Sequence, residues 1–93
     1  MEEKTRAHLL ISGRVQGVCF RMEAEQEATR LGIVGWVRNT PEGKVEALFE
    51  GDSEKVEQMI QWCHKGPAQA RVGAVKVQRE PYRGNIADFR IAR

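Results

Sequence analysis

The sequence predicts an α+β domain in which two helices pack on one face of an antiparallel sheet. Three observations point there. Two stretches carry apolar residues at helical spacing, four alternate like strands, and Gly- and Pro-containing breaks set them in the order β-α-β-β-α-β. A chain of 93 residues suits one domain spanning residues 1–93.

The first strand is Ala7-His8-Leu9-Leu10-Ile11, stopped by Ser12-Gly13. Ala7, Leu9 and Ile11 share one face at period two, with Leu10 on the other. The run Arg14 to Cys19 is a loop bracketed by Gly13 and Gly17. A helix follows from about Phe20 to Leu31, with Phe20, Ala24, Ala28 and Leu31 in one stripe and Gly32 suited to ending it. Ile33 to Asn39 reads as a second strand and Thr40-Pro41-Glu42-Gly43 as a turn. From Lys44 to Glu50 the third strand puts Val45, Ala47 and Phe49 inward and Lys44, Glu46 and Glu50 outward, with Leu48 breaking the outward set. Asp52 or Ser53 caps a second helix whose apolar stripe is Val56, Met59, Ile60 and Cys63, ended by Gly66-Pro67. Val72, Val75 and Val77 mark a fourth strand, and the wider first spacing suggests a bulge. Pro81 to Asn85 reads as a loop, and Phe89-Arg90-Ile91 as a short edge strand. This order is the ferredoxin-like split βαβ arrangement, with strand order 4-1-3-2 expected across the sheet.

Composition narrows the function. Charged residues are 30% and the formal net charge is +2, an excess too small to imply nucleic-acid binding. No apolar run reaches the ~18–20 residues of a membrane span. The N-terminal Met1-Glu2-Glu3-Lys4 lacks the apolar core of a signal peptide, so a cytoplasmic location is expected. Cys19 and Cys63 show neither C-x-x-C nor zinc spacing and read as free thiols, a disulfide between them being the alternative. A monomer is expected, with no cofactor and no metal.

The loop from Arg14 to Phe20 holds the chemistry. A helix start presents unpaired backbone N–H groups and partial positive charge. Gly17 lets the backbone curl so that neighbouring N–H groups converge. Arg21, in the first helical turn, brings a guanidinium that can grip two phosphate oxygens. Asn39 closes the second strand. The first and second strands run the same way, one strand apart, so Asn39 lies roughly 10 Å across the sheet edge. Its amide suits holding a water beside an anion, and a turn-forming role is the alternative. Neither a P-loop nor a cysteine-phosphatase spacing is present, since the sixth position after Cys19 is Glu25.

The run Gly13-Arg14-Val15-Gln16-Gly17-Val18-Cys19-Phe20-Arg21 resembles the first signature of the acylphosphatase family. Gly35-Trp36-Val37-Arg38-Asn39-Thr40-Pro41-Glu42-Gly43-Lys44-Val45, reaching on to Gly51, resembles the second. Gly66-Pro67 and Phe89-x-Ile91 also match, so the similarity runs from about Leu9 to Ile91. Relatives often end on an aromatic residue, whereas this chain ends Ile91-Ala92-Arg93. The resemblance implies an enzyme that hydrolyses a small-molecule acyl phosphate to a carboxylate and inorganic phosphate. It implies phosphate binding by Arg21 and by the backbone amides of Val15, Gln16, Gly17, Val18, Cys19 and Phe20, with the attacking water oriented by Asn39. Cys19 is a variable position in the family. It fills space or, favoured as thiolate by the local N–H groups, is open to oxidation.

An acyl phosphate carries a good leaving group, which agrees with the lack of a catalytic histidine or carboxylate pair in these two runs. His8 and His64 are expected to be structural or surface residues, and Trp36 and Trp62 packing residues. RNA-recognition domains share the element order, but here the third strand has one aromatic and two Glu, which disfavours base stacking. An anion-sensing domain, like the acylphosphatase-like domains of larger maturation proteins, is a further reading. Nothing in either run reads the acyl group, so broad acyl tolerance is expected.

Overall fold

A computed structural model describes residues 3–93; Met1 and Glu2, at the start of the N-terminal tetrapeptide, lie outside the described residues. The elements are β1 (Lys4–Arg14), α1 (Phe20–Leu31), β2 (Val34–Asn39), β3 (Val45–Asp52), α2 (Ser53–Lys65), β4 (Arg71–Glu80) and β5 (Phe89–Ile91). The sheet order is β4-β1-β3-β2-β5. The first four strands take the expected order and pair antiparallel. The expectation of a purely antiparallel sheet needs correction, because β5 runs parallel to β2. The long segment after β4 brings the chain to the far edge of β2 in that direction.

Periodicity placed the core. Ala7, Leu9 and Ile11 of β1 and Val45, Ala47 and Phe49 of β3 are fully buried beneath both helices. Phe20, Ala24, Ala28 and Leu31 of α1, with Val56, Met59, Ile60 and Cys63 of α2, close the layer. The helix ends follow the expected chemistry. Gly32 ends α1 in the left-handed region, and Asp52 caps α2 by accepting from the Glu54 amide at 2.9 Å. Trp62 packs edge-on against Phe20, and Trp36 lies on the open sheet face beside His8. Cys19 and Cys63 are both free thiols.

β1 does not stop at Ser12-Gly13 but runs on to Arg14. The pairing with β4 slips there, Ser12 opposite Ala74 and Gly13 opposite Val72, leaving Gly73 as the extra residue. This is the bulge that the valine spacing implied. The strand can continue because Gly13 lets β4 come close: a Cβ there would sit 2.2 Å from the Arg71 carbonyl oxygen.

Glu50 departs further from expectation. Read as solvent-facing, it is fully buried. The segment after β4 crosses the open face of the sheet and covers it. Its carboxylate accepts from the backbone N–H of Arg83 at 2.8 Å and of Gly84 at 3.3 Å, and from Arg6 Nη1 at 3.3 Å. A buried charge is tolerable only with partners of this kind. Glu50 thereby straps the crossover to β1 and β3 and directs the chain toward β5. No described helix is long and apolar enough to cross a membrane.

Candidate active site

The ends of β1 and β2 share one edge of the sheet, with the start of α1 between them. The connection runs from Val15 to Cys19. Gly17 has φ +73°, and Cys19, just before the helix, has φ +64°. Two left-handed residues, two apart, curl the backbone sharply here, and for Cys19 that conformation costs energy that the surrounding structure must supply. The first hydrogen bond of α1 runs from the Glu23 amide to the Cys19 carbonyl at 3.1 Å. The four preceding amides, Cys19 through Met22, are those that a helix start leaves without a partner inside the helix. They give this end of α1 its positive character.

An open cleft of about 430 Å³ lies over this turn, lined by Val15, Gly17, Cys19, Phe20, Arg21, Met22, Asn39 and Ile91. Six residues singled out in the sequence therefore meet in one cleft: Val15, Gly17, Cys19, Phe20, Arg21 and Asn39. Arg21 is exposed and forms no ion pair with a carboxylate among the described residues. Its guanidinium is free to meet an anion. Asn39 ends β2 opposite Val45, half-buried, with Arg38 directed to the other face. There Arg38 Nε donates to Glu46 at 2.6 Å, and His8 Nε2 lies 2.6 Å from the same carboxylate. Burial pushes the Glu46 carboxyl pKa upward, but the bonds from His8 and Arg38 together outweigh it and hold the group below its ordinary value. This network anchors the strand end that carries Asn39.

Gln16 and Val18 do not line the cleft. The Val18 side chain is buried in the core. The Gln16 amide group donates to the carbonyls of Thr40 and Lys44, at 2.9 Å each. Thr40, itself buried, closes its own turn: its N–H donates to the Lys44 carbonyl at 2.8 Å and its hydroxyl accepts from the Lys44 amide at 3.1 Å. The cradle loop and the turn beside Asn39 are thus one braced unit. Sequence reading missed Thr40, Met22 and Ile91. Thr40 was visible as a turn residue inside the second signature run, Met22 as an unassigned helix position, and Ile91 as an edge-strand residue of the Phe89-x-Ile91 match, none of them with a role at the site.

A larger cleft, about 690 Å³, lies along β2 and β5, bounded by Trp36, Arg38, Asn85, Asp88 and Arg90. Its two arginines are paired, Arg38 with Glu46 and Arg90 with Asp88, so it offers no free cation comparable to Arg21. Among the described residues, no group of three or more His, Cys, Asp or Glu could hold a metal ion.

The arrangement suits an anion held by amides and a guanidinium, next to a neutral amide that can hold water. A family model for acylphosphatase matches residues 7–91. The chain belongs to the acylphosphatase family. An acylphosphatase of Syntrophobacter fumaroxidans is 53% identical, over 96% of this chain and 92% of that protein. The solved acylphosphatase of Coxiella burnetii superposes with a TM-score of 0.89 at 34% identity, over 96% of this chain and 93% of the other. That of Bacillus subtilis gives a TM-score of 0.92 at 28% identity, over 96% and 99%.

Proposed function

We propose that the chain hydrolyses acyl phosphates by direct in-line attack of water on phosphorus. A bond forms from the water oxygen to phosphorus as the bond from phosphorus to the acyl oxygen breaks. The carboxylate leaves, and the water's proton passes to a phosphate oxygen. The amides of residues 15–20 and the Arg21 guanidinium hold the phosphoryl oxygens and offset charge as it builds. The Asn39 side chain orients the water, so catalysis is mainly positioning and electrostatics. The single observation that carries this reading is that Arg21 and Asn39, from a helix start and a strand end, line one cleft over the Gly17–Cys19 turn. A cytoplasmic monomer working without metal or cofactor goes with this reading, and the two free thiols fit a reducing compartment.

The test is steady-state hydrolysis of an aryl acyl phosphate with a chelator present. Turnover that persists with the chelator, and that inorganic phosphate inhibits competitively, is the expected result. Absence of turnover overturns the activity, and loss of turnover on chelation overturns the metal-free mechanism.

A further inference from the structure

Three large hydrophobic side chains are exposed among the described residues: Met22 (48%), Tyr82 (47%) and Ile91 (40%). Two of them, Met22 and Ile91, line the phosphate cleft. They are far apart in sequence and share the cleft for a structural reason. β5 pairs parallel with β2, setting Ile91 beside Val37, and the Ala92 amide donates to the Val37 carbonyl at 2.8 Å. Along the same face of β2, the next side chain after Val37 is Asn39. Phe89, two residues before Ile91, stacks on buried Phe49 with ring centroids 5.8 Å apart, which pins β5 to the core. α1 packs against β5 and carries Met22 immediately after Arg21.

From this we infer that Met22 and Ile91 form an apolar acyl-binding rim, which favours acyl phosphates with an aryl or bulky alkyl acyl group over small or charged ones. The inference rests on the hydrolase reading above and adds a specificity to it. A phosphate held by the turn leaves the acyl group outside the cradle, where exposed apolar surface meets it and water is displaced from both. Arg21 is the one Lys, Arg, Asp or Glu lining the cleft, and the phosphate engages it, so a second charge on the acyl group finds no partner within that cleft, and the arginines of the larger one are already paired with Glu46 and Asp88. Ile91 also borders the larger cleft, so the rim sets no tight limit on acyl size. Broad acyl tolerance, expected from the sequence, is thereby narrowed to a graded preference.

The experiment compares kcat/KM for benzoyl phosphate, acetyl phosphate and succinyl phosphate, with phosphate inhibition measured alongside. Wild type should prefer benzoyl over acetyl by about tenfold or more, and succinyl should be poorest. Met22→Ser and Ile91→Ser should each lower the benzoyl-to-acetyl ratio about fivefold while phosphate inhibition is retained. Met22→Leu should restore the ratio, and Tyr82→Ser, remote from the cleft, should leave it alone. If Ile91→Ser loses phosphate inhibition through loosening of β5, Met22→Ser decides. Ratios in both Ser variants equal to wild type overturn the inference, as does a wild type indifferent to the acyl group. A wild type that hydrolyses none of the three overturns the hydrolase reading beneath it.

Discussion

Gln16 Nε2 donates to the Thr40 carbonyl at 2.9 Å, joining the loop of residues 15–19 to the turn that follows Asn39. The same nitrogen also reaches the Lys44 carbonyl. Gln16→Ala removes both bonds; the Thr40 carbonyl still accepts from the Gly43 amide at 3.1 Å and the Lys44 carbonyl from the Thr40 amide at 2.8 Å, so the cost to stability is about 1 kcal/mol. Because loop and turn then shift against each other, turnover should fall by about tenfold, with a smaller change in phosphate inhibition. Urea denaturation and steady-state kinetics on one preparation check this. Unchanged kinetics would mean that the brace serves folding alone.

Arg21 and Asn39 are expected to fail differently. Arg21→Ala loses a preorganised cation, and turnover should drop at least ~100-fold. Arg21→Lys should also be severely impaired, since an ammonium cannot reproduce the planar fork. Asn39→Ala should reduce kcat more than it weakens inhibition by phosphate. Equal losses in the two would show that Asn39 binds the anion and does not hold the water.

For the buried carboxylate, Glu50→Ala strips two loop amides and Arg6 of a partner together. The expected loss is about 3 kcal/mol, read as a Tm lower by roughly 10–20 °C. Glu50→Gln keeps an acceptor oxygen for the loop and should fall between the two. A thermal melt unchanged in Glu50→Ala would show that the crossover holds itself in place.

The two thiols should behave oppositely. Cys19 is exposed on the cleft and Cys63 is buried, and burial pushes the Cys63 thiol pKa well above its ordinary value. A thiol reagent should modify one cysteine in the native protein, more slowly with phosphate bound, and two after denaturation. The raised pKa also has a stability consequence. The folded state holds Cys63 protonated while the unfolded chain ionises near 9.0, so stability falls as pH rises past that value. The urea midpoint should therefore drop between about pH 8 and about pH 10, and by less in Cys63→Ala.

Much of this architecture was legible because it obeys a period. The stripe Phe20, Ala24, Ala28 and Leu31 and the alternation Val45, Ala47 and Phe49 each mark one buried face, and both faces were found where the spacing put them. The Val72-to-Val75 spacing even located the bulge. Local context marked Arg21 and Asn39 as candidates, one in the first turn after Gly17 and the other at a strand end, and the resemblance to the two acylphosphatase signatures supplied their expected roles. Contacts between distant segments were not. Glu50 alternates like a solvent-facing residue, and only a crossover more than thirty positions later makes it a buried anchor. The Gln16–Thr40 brace joins two polar residues that each look sufficient to their own loop. Three residues of β5 are too few to declare a direction, so its parallel pairing had to be seen.

That short last strand has a role beyond the rim it carries. β2 would otherwise be the end of the sheet, with a row of unpaired N–H and C=O groups ready to zip onto a neighbouring chain. β5 closes it, helped by the Gly35 amide donating to the Asp88 carbonyl at 3.0 Å. Losing the last few residues would thus cost solubility as well as substrate choice, since the strand that ends in Asn39 would become a template for self-association.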